Sequence, residues 1–498
     1  MKRLYSIKVA AGIITIVMGT LMGCDDALEE NPEGFISPEN FYQTEADALT
    51  AVTGLYARWS SGDLFGRDLE MITMHGDPAV TPNRVITIPQ SRYDYTPTFG
   101  DFADIWESLY RIIGDANKAI GRLEESQLDQ EAKDQFIGEA LFHRALAYYY
   151  LSALYGGAPL WTVELTDNAD EIANLPRATA PAIRAQVITD LTRAADLLPD
   201  NYSGNFDKVR ATRWAAKSLL AKTYLYEEDW ENAAREADDV ITESGHSLLP
   251  DYGDVFTEEN EYSNEIIFTV DFQQEVVTTS RGFRYAPRSR DEDPANRENW
   301  MNGFGHYVMR QSFIDTYDPA DSRLDAIIQD TNNAGEALRF IYLKKMQRTA
   351  NPLDKQGVNM ILFRFADMLL VHAEAANEDD DLAGALTSIN RVRQRAGLPD
   401  LSGLDKDQLR QAIYQERSWE LVGENHTKMD LARWGLLISE IKALPAKAEA
   451  AGEPNGPQAM AQIQADNISD KHLLLPVPQA EFEKNPNLGQ QNPGWEGG

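Results

Sequence analysis

Residues 214–241, WAAKSLLAKTYLYEEDWENAAREADDVI, decide how this chain folds. Leu220, Ala221, Tyr224 and Ala233 set large, small, aromatic and small side chains at the offsets of two short antiparallel helices. The small residues let the helices approach closely, and the large ones fill the space between them. Ala373, Ala385, Ile389 and Val392 hold comparable places further along. Such pairs cannot bury their apolar faces alone, so they stack on one another.

This is the tetratricopeptide spacing, and the periodicity around it extends the helical reading. Ala48, Val52 and Leu55 fall at i, i+4 and i+7, after start signals at Ser37-Pro38-Glu39-Asn40 and Thr44-Glu45. Further helices are expected over 106–123, 130–155, 180–198 and 211–243, then over 361–376, 382–396 and 406–435. The helix over 130–155 is apolar around so much of its circumference that it must be buried, and Gly156-Gly157 stops it. Short apolar β-branched runs at 265–272, 274–279 and 339–346 read as strands. Gly, Pro and Asp break the pattern over 60–100, and residues 280–306 lack any period, so both read as long loops. The last 60 residues read as mostly irregular. The expected fold is mainly α, built of tetratricopeptide-like helix pairs (repeats at about 106–245 and 361–435) with long loop insertions and a few short β-strands.

The 498 residues carry 46 Lys+Arg against 79 Asp+Glu, a net charge of −33. So acidic a chain lacks the basic surface that nucleic acid or anionic lipid requires. With 43% hydrophobic residues it can bury a sizeable core, which excludes wholesale disorder. The single cysteine excludes an internal disulfide. That cysteine, Cys24, follows Lys2, Arg3, Lys8 and an uncharged stretch from 9 to 23, the layout of a secretory signal too short to span a bilayer. Leu21-Met22-Gly23-Cys24 looks like a lipobox, cut before a cysteine that takes up acyl chains such as palmitate. The alternative is an ordinary signal followed by a free thiol. Residues 1–23 then form a lipoprotein signal, 24–40 an acidic tether and 41–498 a single domain. Removal of 1–23 leaves 43 cations against 79 acids, a net charge of about −36.

Catalytic patterns are missing from the sequence. It contains no Gly-x4-Gly-Lys loop, no Gly-x-Ser-x-Gly elbow and no His-Glu-x-x-His. Its seven histidines have no metal-ligand spacing, and Glu378-Asp379-Asp380-Asp381 has Leu382 where a calcium loop needs Gly. No metal site and no cofactor is therefore expected. Nothing marks any one carboxylate pair for glycoside hydrolysis.

Several segments, in order, carry a family resemblance. Gly138-Glu139-Ala140 … Arg144-Ala145 … Tyr155-Gly156-Gly157-Ala158-Pro159-Leu160 resembles the "GEA-x-F-x-RA…YG-x-xPL" helix of the SusD/RagB family. Val187-Ile188-Thr189-Asp190-Leu191 … Leu198-Pro199 is similar to its "I-x-DL…LP" helix. Arg364-Phe365-Ala366-Asp367 … Ala373-Glu374-Ala375 … Ile389-Asn390 … Arg395-Ala396-Gly397 resembles its "R-x-AD…AEA…IN-x-VR-x-RAG" block, and Leu474-Leu475-Pro476 … Asn492-Pro493-Gly494-Trp495 its close. One block departs: in Glu416-Arg417 … Glu424-Asn425-His426-Thr427 … Arg433-Trp434-Gly435, Asn425 replaces the usual Gly and Thr427 the usual Arg. Glu416, Glu420 and Glu424 recur every fourth residue, with Arg417 and Arg433 available as partners, which reads as structural.

The resemblance implies a SusD-like α/α superhelix and a non-catalytic, lipid-anchored outer-membrane protein exposed at the cell surface. It implies a glycan or peptide ligand and, as partner, a SusC-like TonB-dependent transporter on which the protein sits as a hinged lid. The membrane is met through the lipid on Cys24 alone. The alternatives are an α-helical glycoside hydrolase and a tetratricopeptide scaffold for protein partners. Family ligand residues share no motif, so the loops are ranked from this sequence. The first loop, 59–102, offers Asp77, Asn83, Arg92, Tyr93, Tyr95 and Phe99. The second, 281–307, offers Arg284, Tyr285, Trp300, Asn302 and Tyr307, with Trp300 the foremost single candidate. Trp106, Trp214, Trp419 and Trp434 lie on helices and are expected in the core.

Overall fold

The computed structural model describes residues 41–74, 77–81, 89–166, 169–202, 209–273, 284–287, 303, 305–332, 334–347 and 357–496. The signal, Cys24 and the acidic tether lie outside the described residues, as do Asn83, Trp300, Asn302 and the strand expected over 274–279.

The chain begins with α1 (Glu45–Trp59) and a short α2 (Asp68–Met74). Five longer helices follow: α3 (Gly100–Glu125), α4 (Gln130–Tyr155), α5 (Ala180–Leu197), α6 (Arg213–Tyr226) and α7 (Trp230–Glu243). After an excursion that includes α8 (Gln311–Ile314), the helical run resumes. It comprises α9 (Phe365–Glu378), α10 (Leu382–Arg395), α11 (Lys406–Glu420), α12 (Thr427–Arg433), α13 (Leu437–Ala450) and α14 (Asn455–Asn467).

Local chemistry starts these helices. The side chains of Asp129, Thr179, Thr212, Asp229 and Asp381 each accept from a backbone N–H of the following first turn. Asp405 closes a capping box with Gln408 ahead of α11. Each cap satisfies an N–H that the helix itself leaves unpaired. Packing then runs in sequence: α3 on α4, α4 on α5, α5 on α6, α6 on α7, and α7 across to α9, which holds α10 and α11. The small residues do what their spacing foretold. Ala221, Ala233, Ala373 and Ala385 are all fully buried at the crossings.

Besides the short antiparallel pair Ala158–Pro159 and Arg177–Ala178, six strands are described: β1 (Val80–Thr81), β2 (Ile266–Val270), β3 (Val308–Met309), β4 (Ile328–Thr331), β5 (Ala337–Leu343) and β6 (Met360–Arg364). β1, β3, β5 and β4 make one antiparallel sheet in that order, while β2 and β6 pair antiparallel with Ile266 opposite Arg364. The sheet side has its own core, in which Tyr252, Tyr285, Tyr307, Leu343 and Val422 pack together. Among the described residues no helix is long and apolar enough to cross a membrane.

Four expectations need correction. The helix expected from 361 begins only at Phe365, because residues 360–364 pair with β2 and every one of them is buried. An unbroken apolar run cannot by itself distinguish a buried strand from a buried helix. The helix expected over 406–435 breaks after Glu420, where Gly423 and Asn425 take positive φ (79° and 65°). The last 60 residues are not mostly irregular: α13 and α14 run through them. Leu437, Ile441, Leu444 and Ala448 had the helical spacing, with Pro445 inside it as a false stop. Residues 60–100 likewise contain α2 and a 3-10 turn at Pro89–Arg92.

Candidate functional site

The first ranked loop is clamped from below by the end of the chain. Tyr95 stacks on Trp495 with ring centroids 5.3 Å apart, and Tyr93, at φ 53°, meets His472 edge-to-face at 5.4 Å. Trp495 is itself pinned, its Nε1 donating to the Lys471 carbonyl at 2.8 Å. Side chains of α14 hold the loop backbone: Gln464 donates to Ser91 O and Asn467 to Arg92 O, both at 2.8 Å. The second loop is rooted in the same way. Arg284 is buried in an ion pair with Glu70, and Tyr285 and Tyr307 pack ring to ring at 4.5 Å.

Tyr93, Tyr95, Arg284, Tyr285 and Tyr307 are therefore interior side chains, all at most 7% exposed. As placed, they offer no open ring face to a ligand; they hold the loop roots. Arg92 and Phe99 are half-buried and reach the surface, Arg92 lying 3.5 Å from Asp94 and Phe99 packing on Phe102.

A network of buried charges joins the end of β6 to α11 and the turn after it. Arg364, at the end of β6, forks onto Glu424 at 2.7 and 2.8 Å and reaches Glu265 at 3.0 Å. Arg323 joins Asp321, Glu416 and Glu420 at 2.6, 2.7 and 3.1 Å. Burial acts to raise the Glu420 carboxyl, but Arg395, Arg364 and Arg323 outweigh it and hold the group well below the usual range. Lys345 is pushed down to about 8 by burial, though it pairs with Glu424. Arg417 and Arg433 are not the partners of the glutamate ladder. They turn to the other side of α11, Arg417 to Asp367 and Asp430, Arg433 to Glu374 and Asp430. Asn425, the departure from the family pattern, takes up the turn and accepts from Thr73 Oγ1 at 2.7 Å.

A cleft of about 330 Å³ opens between α8, the outer face of α11, Trp434 and α13. Asp77 and Pro78 line it, which makes Asp77 the candidate from the first loop that faces a cavity. Burial lifts the Asp77 carboxyl to about 6, against hydrogen bonds from Ala79 N–H and Thr427. Tyr414 and Trp434 stack at 3.7 Å with 16° between their planes. Both are half-buried, as is Trp419, so Trp419 and Trp434 are not core residues; Trp106 and Trp214 are. The signal for Tyr414 was present in α11: Gln411, Tyr414, Gln415 and Ser418 lie at i, i+3, i+4 and i+7, an uncharged polar face on a highly charged helix.

Among the described residues, one group of carboxylates could hold a cation. Asp63, Asp68 and Asp104 bring oxygens within 4.8 Å of one another. Arg67 pairs with Asp68, and Ser108 donates to Asp63 at 2.7 Å.

A mainly helical body with helix pairs stacked in series beside small antiparallel sheets defines a class of protein. The sequence profile described as "SusD family" matches residues 325–495, and that described as "Starch-binding associating with outer membrane" matches residues 39–225. SusD-like protein P25 of Formosa agariphila is 32% identical, with 96% of this chain and 97% of that protein aligned. SusD-like protein P2 of the same organism is 29% identical over 96% and 98% of the two chains. Among solved structures, a SusD homologue from Bacteroides thetaiotaomicron superposes with a TM-score of 0.80 at 22% identity, covering 93% of this chain and all of that one. A laminarin-binding SusD-like protein gives 0.75 at 23% identity, covering 91% of this chain and all of that one. The chain belongs to the SusD/RagB family.

Proposed function

We propose that this chain is a non-catalytic lipoprotein of the outer-membrane surface that captures nutrient oligosaccharides and passes them, as a hinged lid, to a SusC-like TonB-dependent transporter. The observation that carries this reading is the match to SusD-like proteins along nearly the whole chain. The lipobox at Cys24 supports the anchor. Structural neighbours described as laminarin-binding or carbohydrate-binding favour a glycan over a peptide. The ligand is held by the two long loops, through the surface ends of the first at Arg92 and Phe99 and through Trp300 and Asn302 of the second.

Affinity electrophoresis of the purified chain against a panel of polysaccharides and peptides tests the reading. Retardation in at least one glycan gel, without release of reducing ends, is the expected outcome. Turnover of the glycan means a glycoside hydrolase, and retention by protein partners alone means a scaffold. Trp300→Ala is expected to weaken glycan binding. In membrane fractions Cys24→Ser is expected to move the protein from the pellet to the supernatant. Crosslinking in intact cells is expected to capture a β-barrel of transporter size.

A further inference from the structure

The cleft beside α11 combines features that belong together in sugar recognition. Part of its wall is apolar: Phe313 on α8, Leu431 on α12 and Leu444 on α13 line it, with the Tyr414–Trp434 stack. The hydroxyls at its edge are already engaged. Ser312 donates to Glu453 at 2.7 Å, while Thr316 donates to Phe313 O and accepts from Trp419. The amides of Gln411 and Gln415 are different, since neither has a hydrogen-bond partner among the described residues. They project from one face of α11, one turn apart on either side of Tyr414. Each amide offers a donor and an acceptor, the set that vicinal hydroxyls require.

Charge narrows the ligand class. At the rim Lys447 is paired with Glu440 at 2.6 Å, which leaves no unpaired cation on the cleft wall among the described residues. Asp77 adds an acid, in a chain of net charge −33. With Asp77 and Glu440 against Lys447, the cleft wall is net negative and disfavours an anionic ligand. The volume of about 330 Å³ lies at the low end of the range of small-molecule sites, room for a ring and not for a globular partner.

We infer that this cleft is a binding subsite for one uncharged sugar ring, packed by its CH face against the Tyr414–Trp434 stack and hydrogen-bonded through its hydroxyls to Gln411 and Gln415. The inference rests on the glycan-binding reading above and adds a place and a ligand class to it. Asp77 and Pro78 follow α2 within the first loop, so the subsite lies against that loop, and its residues are distinct from the loop candidates Arg92, Phe99 and Trp300.

The test is calorimetric titration of the full-length chain in detergent with laminarihexaose, maltohexaose and xylohexaose, and with adenosine as an aromatic control. At least one hexaose is expected to bind. Gln411→Ala/Gln415→Ala is expected to weaken it roughly tenfold, the effect of about one or two hydrogen bonds. Both sites are on the surface of α11, so the melting temperature is expected to stay at the wild-type value. Tyr414→Ala is expected to weaken binding similarly, and Tyr414→Phe to restore it. Wild-type affinity in both the double variant and Tyr414→Ala overturns the subsite. If Trp300→Ala or Phe99→Ala then abolishes binding, the glycan-capturing reading still stands. Failure of all three hexaoses to bind at millimolar concentration, or tighter binding of adenosine, overturns the uncharged-sugar assignment.

Discussion

Arg364 donates to both carboxylate oxygens of Glu424, at 2.7 and 2.8 Å, with both side chains shut off from solvent. The pair ties the last residue of β6 to the turn after α11, and so joins the β2–β6 sheet to the helix stack. Arg364→Met leaves Glu424, Glu420 and Glu265 short of a cation in a buried site. A loss of roughly 3–5 kcal/mol is expected in denaturant unfolding. Arg364→Lys is expected to recover little of it, because one ammonium cannot reproduce the fork.

Trp495 is the anchor for the first loop. Trp495→Ala removes the partner of Tyr95 and leaves a cavity, at an expected cost of about 3–5 kcal/mol. Hydrogen exchange is expected to speed up locally over residues 91–99, far from the substitution in sequence.

His143 makes the fold sensitive to acid. It is fully buried beside Trp59, whose indole N–H donates to its Nδ1 at 3.0 Å. Burial lowers its pKa from 6.5 to about 3. The unfolded chain thus takes up the proton first. The contribution is complete above pH 6.5 and declines as pH falls toward 3, by on the order of 4–5 kcal/mol. His143→Gln, which can still accept from Trp59, is expected to flatten this acid limb in stability measured against pH.

Asp77 has the opposite sign. Its carboxyl is raised from 3.8 to about 6 by burial, against hydrogen bonds from Ala79 and Thr427 and the charge of Lys345. Here the folded state holds the proton more tightly. The contribution is complete below pH 3.8 and is lost as pH rises through 6, by on the order of 3 kcal/mol. Asp77→Asn is expected to remove that loss, so the difference in stability between variant and wild type grows from pH 4 to 7.

Much of the fold is written in local spacing. The helix expected over 130–155 forms as Gln130–Tyr155, and the residues from 211 to 243 form a pair, Arg213–Tyr226 and Trp230–Glu243. These elements depend on a repeat of 3.6 residues and on caps within three residues of the helix start, signals that need no distant partner. The site was less legible. Tyr93 and Tyr95 read as a loop pair open to a ligand, yet Trp495 and His472 cover them. Trp434 read as core, yet it lies half-buried against Tyr414.

The sequence by itself determined the helix pairs, their caps, the run of small residues at their crossings and the family, because each is carried by neighbours along the chain. Only the tertiary structure decided that β6 takes residues 360–364 from a helix, that Arg364 rather than Arg417 serves Glu424, and that the outer face of α11 lines a cleft. Those outcomes turn on contacts between separate elements, such as Ile266 with Arg364, Arg364 with Glu424 and Tyr414 with Trp434. Spacing shows that a residue is apolar, charged or aromatic on a given helix face. Which partner occupies that face is set by how the elements pack.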